Sequence, residues 1–305
     1  RPLNMYQPLT PKNIVLLTVP PLLWAGNAVV GRLASDLVPP ITFNMLRWLL
    51  ALLLLMPLAG WVLRPRSALW THWRRYGLLG LLSVGMYNAL QYLALHTSTP
   101  LNVTLVGSSM PVFMLAIGAL FFGHRATRRQ LWGAALSMVG VLVVLSHGDP
   151  ARLASVHFVP GDLYMLLATG AWAWYSWLLT RTQDDDPAIR GDWAAFLMAQ
   201  IVPGAACAAL FAGGEWALLD PPPIEWGWPL LGALAYVSVA ASIVAYRSWG
   251  LGVARLGPSV AGIFTNLTPL FAAVLSTAFL GEAPRLYHGL AFVLIVAGIT
   301  VTSRR

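Results

Sequence analysis

Carboxylates are scarce in this chain. Asp and Glu total 11 in 305 residues, and with 19 Lys and Arg the charged fraction reaches only 10%. A soluble domain carries about 25% charged residues, so a water-exposed surface of this size cannot be covered. The acids Asp36, Asp149, Asp162, Asp184, Asp185, Asp186, Asp192, Asp220, Glu215, Glu225 and Glu282 all fall between apolar segments or at their ends. The middle of a bilayer is thereby denied the buried carboxylate that proton-coupled pumps use as a relay. Cysteine is reduced to Cys207, which excludes an intramolecular disulfide and a cysteine metal cluster. The six histidines are scattered, and no His-Glu-x-x-His, Gly-x-Ser-x-Gly or paired midplane acid exists. Neither a metal nor a cofactor is called for, and an enzyme is not expected.

What is present is apolar. Hydrophobic residues make up 58% of the chain, and ten segments are long enough to span a bilayer. They lie near 13–33, 41–62, 75–96, 101–122, 130–146, 161–180, 193–213, 227–250, 259–280 and 286–302. Short connections leave no room for an extramembrane domain, so the sequence predicts an all-α integral membrane bundle whose first span acts as its own insertion signal. Basic residues then set the orientation. With the N-terminus inside, most Lys and Arg collect on the inner side, and only Arg32, Arg152 and Arg285 fall outside. Both termini are expected in the cytoplasm of a bacterial inner membrane. The net charge of +8 is a topology signal and not a sign of nucleic-acid binding.

Residues 100–143 recur in register at 258–301. Pro100 matches Pro258, Pro111 matches Pro269, Phe113 matches Phe271, and Gly140 matches Gly298. The reading is a duplicated unit, with a first repeat at 13–146 and a second at 161–302. Five spans per unit place the copies in inverted topology, an arrangement secondary transporters use to build two gates around one central site. Pro111 and Pro269 fall midway along the fourth and ninth spans, where each removes a backbone hydrogen bond and kinks the helix.

Polar and aromatic residues in these spans align on faces. Asn88, Gln91 and Tyr92 share a face of the third span, continued by His96, while Ser238, Ser242, Tyr246 and Trp249 trace a stripe on the eighth. Ser108 in the fourth span maps onto Asn266 in the ninth. Amides cannot face lipid without cost, so these faces point inward; hydrogen bonding between helices is the alternative use for any one of them. Trp24 and Asn27 in the first span and Trp172 and Tyr175 in the sixth add a ring-compatible lining, with Tyr87, Tyr164 and Tyr236 as further candidates. Arg47 has two readings: it snorkels or ties helices together, or it receives a substrate carboxylate. Arg247, nearer a helix end, is read as snorkelling. Gly133, Gly140 and Gly298 allow close packing of the fifth and tenth spans, within one chain or between protomers of a homodimer.

Trp24-Ala-Gly-Asn27, Phe43-Asn-Met-Leu-Arg47, Leu101–Gly123 and Ser259–Glu282 together resemble the drug/metabolite transporter superfamily and its EamA-type repeat. The pattern departs at His124, which stands where the second copy has Glu282. The resemblance implies export of small metabolites, and the aromatic lining without a coupling acid looks most like the aromatic amino-acid exporters of the YddG type. Facilitated, alternating-access export of an amphipathic small molecule is the expectation, with membrane lipid as the other partner. A proton-coupled multidrug or metabolite exporter of the same superfamily is the alternative.

Overall fold

The computed structural model describes residues 6–98, 100–280 and 285–303, which are predominantly helical and contain no strand. α1 (Pro11–Ala34) and α2 (Pro40–Ala59) precede a third run made of α3 (Trp73–Gly80), a π-helical stretch at Leu81–Tyr87, and α4 (Asn88–Thr97). The fourth run is split into α5 (Pro100–Gly107) and α6 (Met110–Phe121), and α7 (Arg128–Leu145) follows. Next come α8 (Pro160–Leu178) and α9 (Trp193–Leu218). α10 (Trp228–Ser238), a π-helical stretch at Val239–Val244 and α11 (Ala245–Leu256) form one run, and α12 (Pro258–Phe264) and α13 (Leu267–Leu280) the next. α14 (Leu286–Ser303) is last.

Eight of the described helical stretches are long and apolar enough to cross a membrane. Of the other two expected spans, α8 is helical but less apolar. α8 carries Asp162, two glycines and the Trp172–Trp177 ring run, all of which lower its hydropathy. Large apolar side chains such as Leu53, Leu120, Leu210 and Val293 are exposed on the outside of the bundle, as a lipid-facing surface requires.

Local chemistry explains the breaks. Pro111 has no N–H, and its ring conflicts with the carbonyl four residues back, at Gly107; the helix is interrupted at Ser108–Ser109. Pro269 acts in the same way on Thr265, and the interruption falls at Thr265–Asn266. The two π-helical stretches begin at Leu81 and Val239, the same spacing that separates Pro111 from Pro269. A feature with no sequence signature of its own therefore recurs at the repeat distance.

Packing follows a paired pattern. α4 packs along α8 as α11 packs along α1, and α6 packs on α8 as α13 packs on α1. α2 lies against α9, α6 against α12, and α7 against α14. The α7–α14 pair is the tightest. A Cβ added at Gly133 would come within 2.5 Å of the Gly298 carbonyl, and one at Gly140 within 2.7 Å of Ile295. These glycines let two helices of the same chain approach at backbone distance.

Two buried acids stitch helix ends. Glu215 near the end of α9 accepts from the Ile41 and Thr42 amides at 3.0 and 2.7 Å, and from the Thr42 hydroxyl at 2.7 Å. It caps α2 from another helix, because Pro39 and Pro40 offer no side-chain acceptor. Asp162 in the first turn of α8 accepts from Ser98, from Asn102 Nδ2 at 2.9 Å and from the Val159 amide at 2.9 Å.

Candidate functional site: an aromatic core between the two π-helical turns

A π turn stretches the hydrogen-bond register by one residue and releases a main-chain carbonyl. Two such carbonyls organise the centre of the bundle. Ala241 O accepts from Trp24 Nε1 at 3.2 Å and from an Arg47 terminal nitrogen at 3.0 Å. Ser83 O, one repeat earlier, accepts from the Tyr246 hydroxyl at 3.2 Å. Widened turns thus fix rings from neighbouring helices.

Trp172 is the hub of those rings. Its centroid lies 5.2 Å from Trp24, 5.2 Å from Tyr87, 5.1 Å from Tyr175, 5.2 Å from Tyr246 and 5.7 Å from Trp249. The edge-to-face and tilted geometries are those that ring quadrupoles favour, each worth about 0.5–1.5 kcal/mol beyond area burial. Trp249 Nε1 donates to Ser176 Oγ at 3.1 Å, and Tyr175 donates to Gln200 Oε1 at 2.9 Å. Trp172 Nε1, though buried, has no hydrogen-bond partner, and neither has Asn88 Nδ2 on the neighbouring α4. Buried donors of this kind cost about 1–3 kcal/mol each while unmet.

Arg47 borders the cluster and is 2% exposed, so it does not snorkel. Its Nε donates to Ser242 Oγ at 2.6 Å, and a terminal nitrogen reaches Asn27 Oδ1 at 3.4 Å. Its carbonyl accepts from Ser238 Oγ at 3.0 Å. One side chain therefore ties α2 to α1 and to the second π turn. Arg247 is exposed, with its guanidinium 4.1 Å from the Trp193 ring.

The other sequence-selected residues divide. Gln91 is half-buried on α4. The side chains of Tyr92 and His96, and all of Glu282, lie outside the described residues. Ser108 is buried and donates to Leu105 O at 2.6 Å, within its own turn. Asn266 sits in the α12–α13 break, and its Nδ2 donates to Ser137 of α7 at 3.0 Å, away from the rings. Tyr164, a candidate for the lining, is instead 40% exposed; it stands near the start of α8, about 12 Å along the axis from Trp172. Tyr236 donates to Leu23 O at 3.0 Å, where Gly26 leaves room for its hydroxyl. Missed altogether was Trp48, which is fully buried, lies 5.0 Å from Tyr246 and carries the Arg47 guanidinium at 5.0 Å. Its place beside an intramembrane arginine was the available signal. Among the described residues no set of His, Cys, Asp and Glu is placed to hold a metal.

The centre of this helical bundle is thus buried and ring-walled, and it holds unmet hydrogen-bond donors. The chain belongs to the EamA-like transporter family, whose model matches it at residues 11–146 and again at 159–304. It is a membrane transporter, not an enzyme. An uncharacterized transporter of Archaeoglobus fulgidus is 26% identical over 96% of this chain and 98% of its own length. A probable amino-acid metabolite efflux pump of Salmonella typhimurium is 28% identical over 94% of this chain and 93% of its own. A probable terminal-alkyne amino-acid exporter of Streptantibioticus cattleyicolor is 26% identical, over 64% of this chain and 61% of its own. A crystal structure of a protein 22% identical superposes over 95% of both chains with a TM-score of 0.72, a likeness of fold.

Proposed function

We propose that this transporter exports amphipathic amino-acid metabolites, aromatic amino acids foremost, by alternating access around the Trp172 cluster. The observation that carries this reading is Trp172 itself: five rings surround it, yet its indole N–H and the nearby Asn88 amide meet no acceptor. A substrate with a flat ring and a carboxylate matches both halves of that environment. Arg47 sits at its border to orient negative charge, and Gln91, Ser242 and Asn27 supply further polar contacts. Names of the relatives that mention amino acids agree with this class.

The architecture in this reading is ten spans in two inverted five-span units, 13–146 and 161–302, with both termini cytoplasmic. Support comes from the paired packing, in which α4 and α6 meet α8 as α11 and α13 meet α1. It comes also from the recurrence of the π turns and proline breaks at one spacing. Transport then proceeds by rocking of the runs that contain α1, α4, α6, α8, α11 and α13, with the breaks before Pro111 and Pro269 as flexing points. Coupling is facilitative, since no described acid reaches the ring cluster.

Reconstitution in liposomes tests this directly. Saturable uptake of labelled Trp and Phe, indifferent to a pH gradient, is the expected result. Uptake of a cationic drug alone, driven by the gradient, would replace this reading with the proton-coupled multidrug one.

A further inference from the structure

A second ring-walled feature lies outside the core. Where α6 and α8 end, a cleft of about 490 Å³ is lined by Tyr6, Phe122, His124, Trp177, Thr180 and Arg181, among others. Its floor is rigid. Trp177 donates its indole N–H to Met114 O at 2.7 Å, and Gly118 leaves no space between that ring and α6. Phe122 stacks on Trp177 with centroids 5.4 Å apart and planes 28° apart, and His124 lies 5.2 Å from the same ring. Tyr6 closes a wall because the segment before α1 is latched: the Gln7 amide donates to Arg255 O at 2.7 Å, and Arg255 reaches Asn13 Oδ1 at 3.2 Å.

The charge in this cleft is Arg181. Its guanidinium lies 4.7 Å from the Phe122 ring centroid. The nearby buried acid, Asp185, is already held by Arg75 at 2.9 Å and by Arg190 at 3.1 Å, and these are the ion pairs of the described residues. Arg181 is therefore exposed and has no carboxylate, while resting against an aromatic wall. A guanidinium beside stacked rings recognises a planar group that carries an anionic fork. The volume suits one ring with a short acidic side chain. Trp177 and Trp172 are five residues apart on α8, about 7.5 Å along the axis.

We propose that this cleft is a second binding site, for a ring-bearing organic carboxylate. Arg181 pairs with the carboxylate, and Phe122 and Trp177 take the ring. This goes beyond the reading of the core, and its test needs no transport.

The test places Thr180→Cys in a Cys207→Ala background in phosphatidylcholine vesicles, and follows the rate of maleimide labelling. Indole-3-propionate is expected to slow labelling saturably, by about fivefold or more for a charge-assisted pair, whereas indole-3-propionamide leaves the rate unchanged. Arg181→Gln should abolish the protection, and Arg181→Lys should retain part of it. Phe121→Cys, on the exposed rim, serves as a second reporter if the first variant is poorly folded. Equal protection by acid and amide, no protection with either reporter, or protection that survives Arg181→Gln overturns the proposal. Slowing by added phosphatidylglycerol with no further effect of the acid assigns the guanidinium to a lipid headgroup and also overturns it. Because labelling is read without flux, a transporter that carries no aromatic amino acid can still show protection here, and the two failures remain separable.

Discussion

The main-chain carbonyls of Ser83 and Ala241 stand one repeat apart and play the same part. Each belongs to a π-helical turn, and each accepts a hydrogen bond from an aromatic side chain of another run, Tyr246 and Trp24 respectively. The core is thus hung from two equivalent points in the backbone, which side-chain substitution cannot remove directly but can leave without a donor.

Tyr246→Phe removes one of those donors and keeps the ring. The loss should be about 1 kcal/mol, the net worth of an ordinary hydrogen bond, read as a small drop in thermal stability of the purified protein. An unchanged unfolding temperature would show that Ser83 O finds another donor.

Arg47→Lys keeps the charge but replaces a planar fork with a point, so Ser242, Ala241 O and Asn27 cannot all be held. Losing even one charge-assisted bond costs about 1.5–3 kcal/mol, enough to lower uptake of labelled Trp by about tenfold or more. Wild-type uptake in this variant would remove Arg47 from the working cycle.

Trp172→Phe and Trp172→Ala separate binding from folding. The alanine variant opens a cavity among five rings and should lose about 3–5 kcal/mol of stability. The phenylalanine variant should stay folded, with KM for Trp raised more than the maximal rate is lowered. If KM is unaffected in the phenylalanine variant, the cluster is packing alone.

Gly133→Leu should sharply destabilise the protein, because a Cβ there already meets Thr302 Oγ1 and the Gly298 carbonyl. Gly289→Leu, on the same pair of helices but with open space around it, is the control expected to leave stability within about 0.5 kcal/mol. Unfolding in detergent measures both, and equal effects would contradict the tight α7–α14 contact.

Glu215→Gln weakens the cap on α2. The Ile41 and Thr42 amides would lose a charged acceptor at a helix N-terminus, for a cost of about 1–2 kcal/mol. Proteolysis between α1 and α2 should accelerate in this variant, and an unchanged rate would mean that water replaces the carboxylate.

The sequence by itself determined the class of this protein. Few charges and long apolar runs force a helical membrane bundle, since only helices or closed barrels satisfy their backbone in lipid. The breaks before Pro111 and Pro269 were legible too, because proline interrupts a helix wherever it stands. Trp24, Trp172, Tyr246 and Trp249 were also legible, as rings aligned on helix faces. Tertiary structure decided the rest. Tyr164 and Tyr175 look alike in the sequence and, eleven residues apart, fall on nearly the same side of α8; only what packs beside each level of the helix leaves the first exposed and sets the second onto Gln200. Asn266 was drawn away from the rings by Ser137. Trp48 was drawn in, and Arg47 was turned from the bilayer surface toward Ala241. The π turns carry no residue signature, because a register shift of one hydrogen bond is set by how neighbouring helices pack and not by the propensities of the residues within it.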